Sequence, residues 1–440
     1  MATTAPTDIG ADHRAVINTA RATLTPSALG DLCFAMTSIP SPTGEELALA
    51  DLLGKRLSGS GATVRVSRFG ASGASLVARV GRGTDGPRLW LYAPLDTAFS
   101  GSRSEDSPWL GYSPRADFAL PPTRAEGKVI GLGAENPKGF AAAAVAAFEA
   151  VATSGADLRG EVVLTLCGGS MPVSARPGLG SDVGHGAGVK QLLAEERRPD
   201  FVILLKPGYA VSHEEVGYAW FRVTLRGAVN YTGIRHKGPY RNPVLAAARV
   251  VQHLEGWFAE FTAANSAGFV APQGSINAIR AGSSDRASFV PATAELDLDL
   301  RVAPDSNPDD VQAQLEKALE RLRDTEPDLD YELTRTVALP GTRTDPESWI
   351  VRSLVRAWEE LEGTPHEPIG RSSGASDAAI LRSNGIPTAR IGLPPPATPS
   401  PFSGFSMGVA DDVSMARLAT LLVQPLVETA ARTRAEVGLE

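Results

Sequence analysis

The sequence predicts an α/β protein: a mostly parallel sheet covered by helices, carrying an inserted ferredoxin-like α+β domain. Three observations predict it. Strand-like and helix-like stretches alternate from Gly44 to Leu205, the signature of a parallel sheet with crossover helices. From Tyr218 the order becomes β-α-β-β-α-β, which is the ferredoxin-like arrangement. The α/β alternation then resumes after Leu339. A discontinuous α/β domain over 1–215 and 338–440, with an inserted α+β domain over 216–337, follows from this order.

The elements justify themselves in turn. Gly44–Ser58 places apolar residues at helical spacing, and Ala62–Phe69, Ser75–Val80 and Arg88–Tyr92 read as strands. The Gly/Ser/Pro-rich excursion Asp96–Lys128 has the length of a functional loop. Asn136-Pro137-Lys138 reads as a capped, proline-led start to an alanine-rich helix reaching Thr153. Glu161–Cys167 and Phe201–Leu205 are strands on either side of a Gly-rich segment and a helix at Gly188–Glu196. In the insert, Tyr218–Arg226 is a strand, and Asn242-Pro243 starts a helix to Phe261. Ser275–Ala281 and Thr293–Val302 are strands, Pro308–Arg323 is an amphipathic helix, and Leu329–Val337 is the last strand. A helix at Trp349–Leu361, a strand at Thr388–Ile391, a stiff coil at Leu393–Pro401 and a helix over Asp411–Thr433 complete the chain.

Composition bounds the function. The 440 residues include 42 Lys+Arg against 50 Asp+Glu, for a net charge of −8, which argues against a duplex nucleic-acid footprint. No apolar stretch is long enough to span a membrane. The opening MATTAPTDIGADHR lacks the basic and apolar regions of a secretory signal. Cys33 and Cys167 alone cannot build a disulfide framework or a cysteine metal cluster, so a cytoplasmic home is expected. Only 7 of the basic residues are lysines, at 55, 128, 138, 190, 206, 237 and 317.

Six local motifs occur in order: Leu91-Tyr92-Ala93-Pro94-Leu95-Asp96-Thr97; Gly131-Leu132-Gly133-Ala134-Glu135-Asn136-Pro137-Lys138-Gly139; Pro199-Asp200 through Lys206-Pro207; Phe289-Val290-Pro291; Asp299-Leu300-Arg301; and Gly374-Ala375-Ser376-Asp377. With the layout, they resemble the zinc-dependent aminoacylase and carboxypeptidase family, which includes acetylornithine and succinyl-diaminopimelate deacylases. The resemblance covers almost the whole chain. It implies the fold above, pairing through the inserted domain to give a homodimer, and two zinc ions held by two His, a bridging Asp, a Glu and a further acid.

Position by position, the resemblance leaves those ligands missing. Pro94 stands for the first His, Asn136 for the bridging Asp, Ser170-Met171 for a Glu pair, Lys206 for the remaining acid, and about Met407 for the last His. Tyr231 stands for the lid histidine. A proline has no side-chain donor, and an ammonium repels a divalent cation. The six histidines are scattered, so no second metal site is expected, and no cofactor. Lys206 then has two readings: a counter-ion to Asp96 filling vacated metal volume, or a catalytic group. As a general base or fixed cation it would act with Asp96 and Tyr231, and Ser170 is a candidate nucleophile in Gly168-Gly169-Ser170. Arg301, Asn136, Lys138, His236, Arg371 and Ser376 are the candidate substrate contacts. Arg301 matches the family arginine for a substrate carboxylate, with a strand-surface ion pair to Asp299 or Asp297 as its alternative. Lys138, His236 and Arg371 equally admit structural or solvated roles.

The expectation is a metal-independent enzyme acting on a small carboxylate-bearing, amino-acid-derived substrate. Amide or acyl hydrolysis, cyclisation and other acid–base chemistry remain open, and Arg-over-Lys usage accords with specialised biosynthesis. The alternatives are a non-catalytic binding or assembly homologue, and an ordinary dizinc amidohydrolase if the register differs.

Overall fold

A computed structural model describes residues 11–174, 183–400, 402 and 406–440. The first ten residues, most of the segment read for a secretory signal, lie outside these. So do Pro401 and part of the Gly-rich segment after Cys167. The chain divides into two compact units: Met1–His213 with Thr344–Pro368 and Ser376–Glu440, and Glu214–Arg343 with Ile369–Ala375.

The first unit is built on a six-stranded sheet. Glu161–Cys167, Arg88–Pro94, Phe201–Leu205 and Thr388–Ile391 are neighbours in that order and run parallel. Gly73–Gly81 and Thr63–Phe69 extend the sheet antiparallel beyond Glu161. Every residue of Arg88–Pro94 and Phe201–Leu205 is buried, as strands covered on both faces require. The alanine-rich helix Phe140–Thr153 packs against the sheet and the final helix Asp412–Ala430. Its run of small residues lets backbones approach closely, which accounts for the fully buried Ala141–Ala144.

Four local differences from the sequence reading stand out. The helix expected from Gly44 starts at Leu47, because Glu46 turns its carboxylate inward to accept from the Gly44 and Gly169 amides. Asn136 does not cap the alanine-rich helix: it has extended torsions inside a wide turn, Ala134–Gly139, and the α-helix begins at Phe140. Two further helices, Ala11–Arg21 and Pro26–Thr37, precede the first expected element, the second capped by Thr25. The excursion after Asp96 contains a short helix, Arg103–Leu110.

The second unit orders its antiparallel strands Gly274–Ala281, Thr293–Val302, Gly217–Arg226 and Tyr331–Leu339. That is the ferredoxin-like order. Helices Pro243–Asn265 and Pro308–Thr325 pack on one sheet face around Phe221, Leu254, Phe261, Leu298 and Leu315. Asn242 caps the first helix through Val244 N–H, and Asn307 with Asp310 forms a capping box on the second.

Candidate active site

Parallel strands end in loops that hold polar groups where the sheet's own hydrogen bonding stops, and such sites sit at the strands' carboxyl ends. Here three loops do so. Asp96 follows Arg88–Pro94, Ser170 follows Glu161–Cys167, and Lys206 follows Phe201–Leu205. A fourth group, Asp377, leads the short helix Ala378–Ser383.

Asp96 is fully buried. Its Oδ1 accepts from Ser170 N–H at 2.9 Å, and its Oδ2 accepts from Met171 N–H at 2.8 Å and from Thr43 Oγ1 at 2.9 Å. Burial raises its pKa, while these three donors and the Lys206 charge pull the other way. The loop reaches Asp96 because residues 168 and 169 are glycines. A Cβ at Gly168 would lie 2.4 Å from the Ala74 carbonyl oxygen, and Gly169 has φ +62°. The Gly169 amide donates to Glu46 at 2.9 Å. Burial, then the Asp96 charge, pushes the Glu46 carboxyl well above the usual carboxylate range, against the lowering effect of the backbone amides that donate to it.

Asp377 accepts from the Tyr92 hydroxyl. Burial pushes its pKa up to about 6, against the lowering effect of Tyr92, Ser170 and Lys206. Ser170 Oγ is buried and close enough to act on Asp377, yet it lacks a hydrogen bond of regular geometry. Lys206 is 7% exposed and its charge favours the ionised forms of both Asp96 and Asp377. The structure thus brings Asp96, Ser170 and Lys206 together, and adds Asp377, Tyr92 and Glu46.

Asn136 lies beside Met407: its Nδ2 donates to the sulfur at 3.4 Å, and its backbone N–H donates to the Met407 carbonyl at 3.1 Å. Asn136 Oδ1 is buried without a partner. Lys138 is only 1% exposed, and its Nζ donates to the Ile39 carbonyl at 2.8 Å. This geometry ties down the turn and leaves almost no surface for a ligand. Ser376 is buried, its Oγ accepting from Ala378 N–H at 3.3 Å.

The remaining candidates belong to the second unit. Tyr231 is half-exposed and stacks on Phe289, with ring centroids 5.5 Å apart. His236 is exposed in the turn Thr232–Lys237. Arg301 pairs with Asp299 at 3.0 Å and lies over the Tyr218 ring. Arg371 is exposed with φ +59°. The segment carrying it lines up beside Val270 through Ala271 N–H to Ser372 O and Ser372 N–H to Phe269 O.

Among the described residues, no group of three or more His, Cys, Asp or Glu is arranged to hold a metal ion. Asp96 Oδ2 already accepts two hydrogen bonds and Oδ1 one, so little lone-pair capacity is left on that carboxylate. Asp377, Tyr92 and Glu46 escaped the sequence reading as site residues. Tyr92 and Asp377 each lay inside a quoted motif, but their pairing joins positions 285 residues apart.

The fold agrees with the comparisons. A sequence-family model, peptidase family M20/M25/M40, matches residues 103–406. The structure superposes on aminopeptidase PepT from Bacillus cereus with a TM-score of 0.63 at 16% identity, covering 92% of this chain and 99% of that one. For human carnosine dipeptidase 1 the TM-score is 0.67 at 14% identity, with 96% and 100% covered. For the di-peptidase Dug1p from Saccharomyces cerevisiae it is 0.70 at 11% identity, with 96% and 99% covered. At these identities the structures establish the shared fold, while the family model spans most of the sequence. The chain belongs to peptidase family M20/M25/M40.

Proposed function

We propose that this chain is a metal-independent enzyme on the M20 peptidase scaffold, acting on a small, carboxylate-bearing, amino-acid-derived substrate. The observation that carries the reading is Lys206, a buried cation acting on two buried carboxylates beside Ser170. A dizinc centre does not fit these donors. It needs a cluster of deprotonated acid or imidazole ligands, whereas this edge offers an ammonium, an amide, a hydroxyl and a thioether, and its acids Asp96, Asp377 and Glu46 each already accept hydrogen bonds from the chain.

Amide or acyl hydrolysis suits the geometry best. Ser170 Oγ would attack the acyl carbon and pass its proton to Asp377, whose pKa near 6 suits proton transfer at neutral pH. Asp377 would return that proton to the leaving nitrogen, and water would then cleave the acyl–serine ester. Lys206 supplies a fixed positive charge throughout. Within the second unit, Arg301 is the candidate for a substrate carboxylate that the family resemblance implies, its fork only partly used by Asp299. We also read the protein as a homodimer through its second unit, since Gly274–Ala281 is a sheet edge with Ile279 57% exposed. A cytoplasmic location accords with free Cys33 and Cys167. No helix among the described residues is long and apolar enough to cross a membrane.

A non-catalytic binding role is the second reading, favoured by how fully Asp96 is satisfied within the fold. The experiment is a turnover screen of N-acyl amino acids and dipeptides with the full chain, with and without chelator, on wild type, Ser170→Ala and Lys206→Met. Chelator-insensitive turnover that falls by about 100-fold or more in both variants supports the enzyme. Turnover that requires added zinc and ignores Lys206→Met overturns it, and no turnover of any substrate moves the choice to the binding role.

A further inference from the structure

One cavity of about 400 Å³ is not used by the reading above. One wall is apolar, formed by Leu393, Pro394, Pro395, Pro396 and Phe402, and the rest carries serines with Glu135 and Asp411. Three consecutive prolines make a pre-shaped wall that loses little conformational freedom when a ligand arrives. One charged group in the lining stands apart from the other carboxylate there. Asp411 caps the last helix, accepting from Ser414 N–H at 2.8 Å and Ser414 Oγ at 3.0 Å. The Glu135 side chain, by contrast, receives no hydrogen bond and no ion pair from any described residue, although its backbone is fixed by a 3.0 Å bond to the Met407 carbonyl.

A carboxylate partly removed from water and left without a donor is costly unless something else supplies one. Burial alone pushes Glu135 up to about 7. No cation among the described residues pairs with it; the Arg115 guanidinium lies over the Phe402 ring instead. The cavity therefore lacks a positive charge with hydrogen-bond donors, and it has room for an attached apolar body.

We propose that this cavity is a binding site for an apolar primary amine, its ammonium donating to Glu135 and its hydrocarbon body lying against Pro394–Pro396 and Phe402. An ammonium fits the unpartnered carboxylate of Glu135 as a compact charge with three donors. Phe402, whose ring already carries the Arg115 guanidinium, adds packing contact to the hydrocarbon body. The site stands independently of catalysis at Ser170 and Lys206, and it exists whether the chain is an enzyme or a binding protein.

The test is calorimetric titration of the full chain with benzylammonium, benzyl alcohol and benzoate, on wild type, Glu135→Gln and Phe402→Ala, each checked for folding by circular dichroism. Benzylammonium is expected to bind wild type at least about tenfold more tightly than benzyl alcohol, as a charge-assisted contact requires, with benzoate not bound. Glu135→Gln should lose that preference while keeping any weak alcohol binding, and Phe402→Ala should weaken both ligands together. Wild-type affinity for the amine should also rise as pH passes upward through about 7, where Glu135 ionises. Equal affinities for amine and alcohol, an unchanged preference in Glu135→Gln, or no amine binding at millimolar concentration would each overturn the proposal.

Discussion

The side-chain amide of Asn136 donates to the sulfur of Met407 at 3.4 Å, joining positions 271 residues apart. A thioether is a weak acceptor, and the other end of the same amide, Oδ1, is buried with no partner at all. Asn136 is therefore poorly matched to its surroundings as a purely structural residue.

Replacing it tests that mismatch. Asn136→Leu keeps the size and removes the orphaned carbonyl, so stability should rise by about 1 kcal/mol in urea unfolding. A loss of stability would mean that Oδ1 has a partner in solution.

Asp96→Asn should do the opposite. The carboxylate accepts from two backbone amides and Thr43, and an amide NH2 in its place would face N–H donors. It would also leave Lys206 with one fewer negative charge. The expected cost is about 3 kcal/mol, read as a lower denaturation midpoint with unchanged slope.

Glu135 predicts a pH-dependent difference. Its pKa is raised from 4.5 to about 7, so the folded state holds its proton more tightly than the unfolded state does. The resulting contribution is fully present below about pH 4.5 and is lost as pH rises through about 7. Relative to Glu135→Gln, which cannot ionise, wild type should lose up to about 3 kcal/mol across that window. Parallel stability–pH curves for the two proteins would show that the group is solvated.

Lys138 carries the reverse sign. Burial lowers its pKa from 10.5 to about 7, so the folded state favours the neutral amine. Its contribution is present above about pH 10.5 and is lost as pH falls through 7. Lys138→Met should cost about 1 kcal/mol at high pH, through the lost bond to the Ile39 carbonyl. Its stability relative to wild type should then improve steadily toward neutral pH, by matched urea titrations.

Strands such as Glu161–Cys167, Phe201–Leu205, Thr293–Val302 and Thr388–Ile391 were legible to the residue, because short apolar runs and, in Thr293–Val302, strict apolar–polar alternation have few alternatives at that length. The start of the alanine-rich helix was not. Asn136-Pro137 has the composition of a cap, but the backbone enters a wide buried turn fixed by Met407 and Lys138, both remote or side-chain contacts that local propensity cannot register.

The order of residues by itself determined the α/β class, the ferredoxin-like insert and the loops bearing Asp96, Ser170 and Lys206, since periodicity and strand ends are local properties. Only tertiary structure decided which polar groups face one another: Tyr92 with Asp377, Glu46 with Asp96, and Glu135 with no donor among the described residues. Those relationships depend on burial and on distances across loops from separate strands, and electrostatic energy is set by distance and desolvation rather than by position along the chain.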